Sequence, residues 1–196
     1  MSNIELMKNV EEECRKAEML LKSGATNLVF GKGSVDAEIL FCGEAPGAKE
    51  DLQGMPFVGA AGKNLDKLLG KVGLSLNEVY VANVLKYRPP ENRAPLDAEI
   101  VEHSVWLARQ IEVMKPKVVC SLGNYATKLF LSGFNVEGMK EQLGITELHG
   151  KAREMEWRGL KFTLIPLFHP AAIIYNQKLL PLWEEDMKVI RGMIGK

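Results

Sequence analysis

Cysteine is scarce in this sequence of 196 residues, and long apolar runs are absent. The three cysteines, Cys14, Cys42 and Cys120, are widely spaced and odd in number. That pattern argues against a disulfide framework and for a reducing, cytoplasmic compartment. No apolar run approaches the roughly 18 residues that a membrane span needs, so we expect no membrane association. The first segment, MSNIELMKNVEEECRK, carries charges throughout, unlike a signal peptide.

The chain has no net charge at neutral pH, because 25 Lys plus Arg balance 25 Asp plus Glu. This balance excludes a protein that binds nucleic acid through an overall basic surface, so any such contact must use a local basic patch. Hydrophobic residues make up 46% of the chain, which is enough for one substantial core at this length. We therefore expect one domain spanning residues 1–196.

Apolar patterning predicts strands that alternate with helices. Periodic segments predict helices at 4–23, 61–72, 97–114, 124–131 and 178–193, with Asp97 as the N-cap of the third. Short apolar runs predict buried strands at 38–42, 79–85 and 117–122, and a strand pair at 151–156 and 160–168. The alternation predicts an α/β fold with a mainly parallel sheet. Ligands bind such sheets beyond the carboxyl ends of the strands.

Two Gly- and Pro-rich segments follow the first predicted strand, GEAPGAKED at 43–51 and GMPFVGAAG at 54–62. Glycine and proline let a chain turn tightly against a ligand and aim backbone N–H groups at it. An ordinary strand-to-helix turn with solvated acids is the alternative. Phe57 lies in a loop rather than on a periodic face, so it is either a core plug or a stacking platform for a flat base.

Asn83 lies near the end of the second predicted strand. A buried amide costs free energy unless it is hydrogen-bonded, so Asn83 either bonds a neighbouring loop or awaits a ligand. Its donor beside an acceptor is complementary to the edge of uracil. The cations that follow, Lys86, Arg88 and Arg93, suit phosphates but are equally compatible with a solvated loop.

His169 stands in the string FHPAA, at 168–172, directly after the last predicted strand. His103 falls within a predicted helix, and His149 lies in a Gly-flanked turn. Only His169 follows a strand and precedes a proline, so we expect it on the ligand-facing rim. There it is either structural or catalytic.

Together, these strings resemble the family-4 uracil-DNA glycosylases of thermophilic bacteria and archaea. The matching strings, in order, are GEAPGAKED (43–51), GMPFVGAAG (54–62), NVLKYRPPENR (83–93) and FHPAA (168–172). The resemblance covers most of the chain and implies a three-layer α/β/α sandwich with a central four-stranded, mainly parallel sheet. It also implies a base-excision-repair enzyme that flips uracil out of DNA and hydrolyses its N-glycosidic bond.

The resemblance also implies roles for individual residues. Phe57 would stack on the flipped uracil, Asn83 would donate to its O4 and accept from N3–H, and His169 would donate to its O2. Glu50 would stabilise the cationic sugar or crowd the C5 position against thymine, and Asn92 would support Glu50 or the attacking water. The predicted catalytic residues are Glu50, Asn92 and His169. The predicted uracil pocket comprises Gly43, Glu44, Ala45, Phe57 and Asn83, and the predicted DNA contacts are Lys86, Arg88, Arg93 and Pro170.

The sequence departs from the family at the four cysteines that hold an iron–sulfur cluster. The corresponding positions are Cys14, Ala17, Tyr87 and His103, so one thiolate of four remains. A cubane cluster needs about four thiolates, so we expect no cluster and no other metal, with Tyr87 and apolar packing in its place. A Cys14–His103 metal pair would offer only two ligands.

A second departure concerns the attacking water. Better-known uracil glycosylases carry Asp or Asn just before the motif proline, where this chain has Ala45, so other groups must hold the water. Two other functions stay open: removal of another deaminated base, such as hypoxanthine or xanthine, and non-catalytic DNA binding. We expect a monomer that acts on single- or double-stranded uracil-containing DNA in the cytoplasm, at the nucleoid in a prokaryote.

Overall fold

A computed structural model describes residues 1–193, and a six-stranded sheet lies at its centre. The strands are β1 (Lys32–Gly33), β2 (Ile39–Gly43), β3 (Tyr80–Asn83), β4 (Val118–Leu122), β5 (Arg153–Trp157) and β6 (Leu160–Leu167). They lie in the order β1-β3-β2-β4-β6-β5. The four inner strands are parallel, and β1 and β5 pair antiparallel at the two edges. The predicted parallel centre is confirmed, β5 corresponds to the strand predicted at 151–156, and the two-residue strand β1 was not predicted.

Helices cover both faces of this sheet. Within the described residues they are α1 (Asn3–Lys16), α2 (Ala48–Gln53), α3 (Ala60–Lys71), α4 (Asp97–Met114), α5 (Asn124–Leu131), α6 (Ile145–Leu148), α7 (Ala172–Tyr175) and α8 (Leu179–Met193). Among them, no helix is long and apolar enough to cross a membrane.

The alternation of side chains along β2 separates two hydrophobic cores. Leu40 and Cys42 pack into the core that α1, α4 and α5 cover, whereas Ile39 and Phe41 face the core beneath α3 and α8. This period of two is the expected property of a strand buried on both faces. The predicted three-layer α/β/α sandwich is confirmed.

Two predicted helix boundaries were wrong. The first helix ends at Lys16 rather than at residue 23, because Ala17 is extended and Leu21 has a left-handed φ of 69°. The N-cap of α4 is Leu96, and Asp97 is the first helical residue. Glu99 caps this helix instead, since its carboxylate accepts the Leu96 N–H at 2.8 Å.

Candidate active site

A cleft of about 260 Å³ opens at the carboxyl ends of the parallel strands. The segments that follow β2, β3 and β6 form its walls, as expected for a parallel sheet. The lining residues are Glu44, Ala45, Pro46, Gly47, Glu50, Phe57, Ala61, Asn83, Pro89, Asn92, Arg93, His169 and Ala171. The structure thus brings together side chains from all four sequence strings.

Asn83 is the last residue of β3 and stands beside Gly43, the last residue of β2. Only 2% of Asn83 is exposed, and its side-chain amide lines the cleft and makes no hydrogen bond to another group within residues 1–193. Gly43 makes room for it, since a Cβ there would lie 2.4 Å from Asn83 Oδ1 and 2.8 Å from Phe57 Cζ. The amide therefore lies at the wall of the cleft and has no hydrogen-bond partner among the described residues.

Phe57 is both part of the core and part of the cleft wall. It is 7% exposed, packs with the α3/α8 core, and also lines the cleft. Its φ of 53° is left-handed, which is uncommon for a bulky residue. Lys32 Nζ donates to the Phe57 carbonyl at 3.1 Å. The ring lies 6.1 Å from that of His169, with 27° between their planes.

Glu50, on α2, fastens the loop that carries Phe57. Its Oε1 accepts the backbone N–H groups of Val58 at 2.9 Å and Gly59 at 2.6 Å. The carboxylate is closely packed, because a Cβ at Gly47 would lie 2.9 Å from Oε2. One oxygen of Glu50 thus bonds the backbone, and the other makes no hydrogen bond within residues 1–193.

His169 is held as a neutral imidazole. Its Nδ1 accepts the Ala171 N–H at 3.2 Å, so the ring proton of the neutral form resides on Nε2. Burial lowers the pKa of His169 to about 4, although the charge of Glu50 acts in the opposite direction. At neutral pH, Nε2–H is therefore an uncharged donor.

Glu44, Ala45 and Asn92 complete the predicted set within the cleft. Glu44 is half-buried, and burial raises the pKa of its carboxyl group. Ala45 contributes only a methyl group. Asn92 is exposed, and its Oδ1 accepts a hydrogen bond from Arg88 Nε at 2.8 Å rather than contacting Glu50.

The four predicted DNA contacts differ in their exposure and in their partners within the protein. Lys86 is fully buried and donates to Asn83 O at 2.7 Å and to Gln110 Oε1 at 2.6 Å, so its assignment to DNA was wrong. Arg93 reaches the cleft but is paired with the Glu99 carboxylate at 2.9 Å, so its charge is largely used within the protein. Arg88 remains half-buried beside the cleft, and Pro170 is buried, with its carbonyl accepting a bond from Asn64.

The four positions that correspond to cluster cysteines do not fit an iron–sulfur cluster. Cys14 is buried, and burial raises the pKa of its thiol to about 11, against formation of a thiolate. Both ring nitrogens of His103 already make hydrogen bonds: Nδ1 accepts the Lys86 N–H and Nε2 donates to the Leu20 carbonyl, each at 2.9 Å.

The other two positions offer no metal ligand of the kind a cluster needs. Tyr87 packs edge-on against His103, and Ala17 has no donor atom in its side chain. Among residues 1–193, no group of three or more His, Cys, Asp or Glu could hold a metal.

Sequence reasoning missed three residues that support the site. Lys32 bonds the Phe57 carbonyl, Ala171 fixes the His169 tautomer through its backbone N–H, and Gln110 anchors Lys86. None has a local signal: Lys32 belongs to a strand of two residues, and Gln110 lies within an ordinary helical pattern. The FHPAA string did contain Ala171, but a backbone donor cannot be read from a residue's identity.

Comparison with known proteins identifies relatives of this whole arrangement. A sequence model of the uracil DNA glycosylase superfamily matches residues 30–188. The type-4 uracil-DNA glycosylase of Archaeoglobus fulgidus is 43% identical over 93% of this chain and 89% of its own length. Those of Sulfurisphaera tokodaii and Thermotoga maritima are 40% and 37% identical, each over 98% of this chain and over 86% and 96% of their own lengths. The chain therefore belongs to the uracil DNA glycosylase superfamily, among the type-4 enzymes.

Proposed function

We propose that this protein excises uracil from DNA by hydrolysing the N-glycosidic bond of a flipped-out nucleotide. The observation that carries the proposal is the Asn83 amide, which makes no side-chain hydrogen bond within residues 1–193 and lines the same cleft as the Phe57 ring and the neutral His169. An amide that faces a cleft with its donor and its acceptor both available suits a ligand that supplies an acceptor beside a donor.

Recognition of uracil follows from the chemistry of the base edge. Asn83 Nδ2 would donate to uracil O4, and Oδ1 would accept from N3–H, while the ring of Phe57 stacks on the base. Cytosine presents an amino group where uracil has O4, so two donors would face each other and cytosine would be rejected. Gly43 leaves the room that this recognition of uracil needs, because a side chain at residue 43 would displace both Asn83 and Phe57.

Cleavage of the glycosidic bond builds negative charge on the uracil and positive charge on the sugar. His169 Nε2–H would donate to uracil O2 and stabilise the departing anion. The remaining oxygen of Glu50 would stabilise the cationic sugar. Since Ala45 offers no polar side chain, the attacking water would be held by Glu50 and by backbone groups of the segment after β2.

Contacts with the DNA backbone would come from the cations that remain unpaired around the cleft. Arg88 and the backbone at Pro170 keep their predicted roles. Lys49, Lys63 and Lys67 are exposed on α2 and α3, the helices that also carry the cleft residues Glu50 and Ala61, and none has an ion pair within the described residues. These lysines would replace Lys86, which is buried, and Arg93, which is paired with Glu99.

The proposed enzyme works without an iron–sulfur cluster, because the four corresponding positions offer a single thiol and a histidine that is already bonded on both sides. We also propose that it acts as a monomer in the cytoplasm, at the nucleoid in a prokaryote.

The test is a panel of oligonucleotides that each bear one uracil, hypoxanthine, xanthine, thymine or cytosine, in single and double strands. Abasic sites are scored after alkaline cleavage. We expect an abasic site at the uracil position of the uracil substrate, and none in the other substrates. Excision of hypoxanthine or xanthine in preference to uracil would change the substrate, and no excision of any base over a range of salt concentrations would refute a glycosylase.

A further inference from the structure

A fully buried lysine lies directly behind the candidate uracil pocket. The Lys86 side chain has no exposed surface, and no carboxylate forms a salt bridge with it among residues 1–193. Its Nζ instead donates to two uncharged acceptors, Asn83 O at 2.7 Å and Gln110 Oε1 at 2.6 Å, and lies 5.6 Å from the centre of the Phe30 ring. Burying a cation without a counter-charge is costly, so an apolar residue of similar length would serve the core better.

The Gln110 amide fixes where the Lys86 ammonium can lie. Gln110 Nε2 donates to the Phe30 carbonyl at 3.0 Å and to the Tyr80 hydroxyl at 3.2 Å. With both donors used, its Oε1 must face Lys86. The buried polar network is satisfied at every atom, which is the condition under which such a network holds one geometry.

The backbone of Lys86 is fixed from the opposite side by His103. The Lys86 N–H donates to His103 Nδ1 at 2.9 Å, and His103 Nε2 donates to the Leu20 carbonyl at 2.9 Å. A continuous hydrogen-bonded path therefore runs from the segment after α1, through α4, to the residue that ends β3.

We propose that Lys86 and His103 are positioning residues that hold Asn83 in place for reading uracil. This inference rests on the proposed function. The side chain of Asn83 makes no hydrogen bond to the described part of the protein, so its position depends on its backbone and on packing. The Lys86 ammonium holds that backbone at the carbonyl of Asn83 itself. A recognition group must be held to within about 0.5 Å to be effective, which the buried path from Leu20 to Asn83 would ensure.

A double-mutant cycle tests whether Lys86 acts through Asn83. Lys86→Met keeps the length of the side chain and removes its donors, and single-turnover excision of uracil should slow by about 10- to 100-fold, the scale of losing a supporting contact. In an Asn83→Ala background, the same change should have little further effect. Full additivity of the two effects would overturn the proposal, whereas absence of excision by the unaltered protein would overturn the proposed function.

A matched control separates positioning from loss of stability. Leu129→Ala removes packing in the same core as Lys86 but lies on α5, away from Asn83. We expect it to lower the melting temperature and leave single-turnover excision by the folded protein unchanged. If Lys86→Met fails to fold, His103→Asn and His103→Leu replace it, since Asn can keep an acceptor for the Lys86 N–H. His103→Asn should retain more activity than His103→Leu, and equal activity of the two at equal stability would contradict the proposal.

The NMR signals of the Asn83 side-chain amide give a readout that needs no catalysis. In the substrate-free protein, Lys86→Met should shift or broaden these signals, because the amide loses its fixed position. Leu129→Ala should leave them as they are. Unchanged Asn83 signals in Lys86→Met would refute the positioning role whatever the substrate of the enzyme is.

Discussion

Within residues 1–193, one ring nitrogen of His169 makes no hydrogen bond and the other accepts a backbone N–H, which makes the replacement of His169 informative. His169→Ala should slow single-turnover excision by about 100- to 1000-fold, because one donor to a developing oxyanion is lost. His169→Gln should recover part of that rate, since its amide N–H can stand in for Nε2–H. Single-turnover kinetics are needed because slow product release could hide the defect. An unchanged rate in His169→Ala would remove the residue from the mechanism.

The neutral state of His169 has its own signature in the pH dependence. Because burial lowers its pKa to about 4, the rate should stay level around neutrality and fall only on strong acidification. The unfolded chain binds this proton more readily, near the ordinary pKa of 6.5, so stability should decline as the pH falls from about 6.5 to 4. Single-turnover rates and thermal melts of the native protein and His169→Gln across this range would show both effects. A rate that falls as the pH rises through neutrality would instead indicate a charged donor.

Glu50 offers a way to separate charge from shape. Glu50→Gln preserves an oxygen for the Val58 and Gly59 N–H groups but removes the negative charge. If the charge stabilises the sugar cation, excision of uracil should slow by about 10-fold or more, with little change in melting temperature. If Glu50 serves chiefly to exclude thymine, Glu50→Gln should keep its activity on uracil and Glu50→Ala should gain activity on thymine. Parallel assays on uracil and thymine oligonucleotides distinguish the two roles.

The buried side chains behind the cleft mark the limit of what could be predicted from residue types. Asn83 lies at the end of a strand, His169 directly after one and Phe57 in a Gly- and Pro-rich loop, and the structure does bring them into one cleft. Lys86 was predicted to contact DNA, which requires an exposed side chain, and lysine is rarely buried without a counter-charge. Its burial depends on Gln110, 24 residues further along the chain, and no local pattern reveals that contact.

Helix α3 begins beside the cleft and presents lysines along its exposed side, so it should contribute to the grip on DNA. Replacing Lys63 and Lys67 by Gln should weaken binding to uracil-containing and plain DNA about equally. It should also reduce the slope of log K against log salt by about 0.9 for each lost phosphate contact. Lys8 and Lys115 are exposed on the opposite side of the sheet, and their replacement by Gln is the control with the same change in charge. An equal effect of both pairs would show that only net charge matters.

Elements with strong apolar patterns were predicted well, and those fixed by distant contacts were not. The parallel strands and helix α5 follow from continuous apolar runs and periodicity within each segment. The end of α1 does not, because Leu21 continues the helical spacing while its backbone turns into the left-handed region. Strand β1, with two residues, exists only through its pairing with β3.

The chain as a whole should need no metal, and this is directly measurable. The purified protein should be colourless, lack absorption near 400 nm, and keep both its activity and its melting temperature in the presence of a chelator. The physical reason is that a cluster requires four thiolates, whereas these positions offer one thiol and a histidine with hydrogen bonds at both ring nitrogens. A brown protein with stoichiometric iron, or one that unfolds on chelation, would contradict this expectation.

The balance of 25 basic and 25 acidic residues has a consequence for how such an enzyme would find its target. With Arg93 held by Glu99 and Lys86 enclosed in the core, few cations are left to follow the phosphates of undamaged DNA. Encounters with an ordinary duplex should therefore be brief, and the search should proceed by frequent dissociation and rebinding rather than by long sliding. Residence would become long only once a base enters the cleft, where Asn83, Phe57 and His169 add contacts that undamaged DNA does not provide.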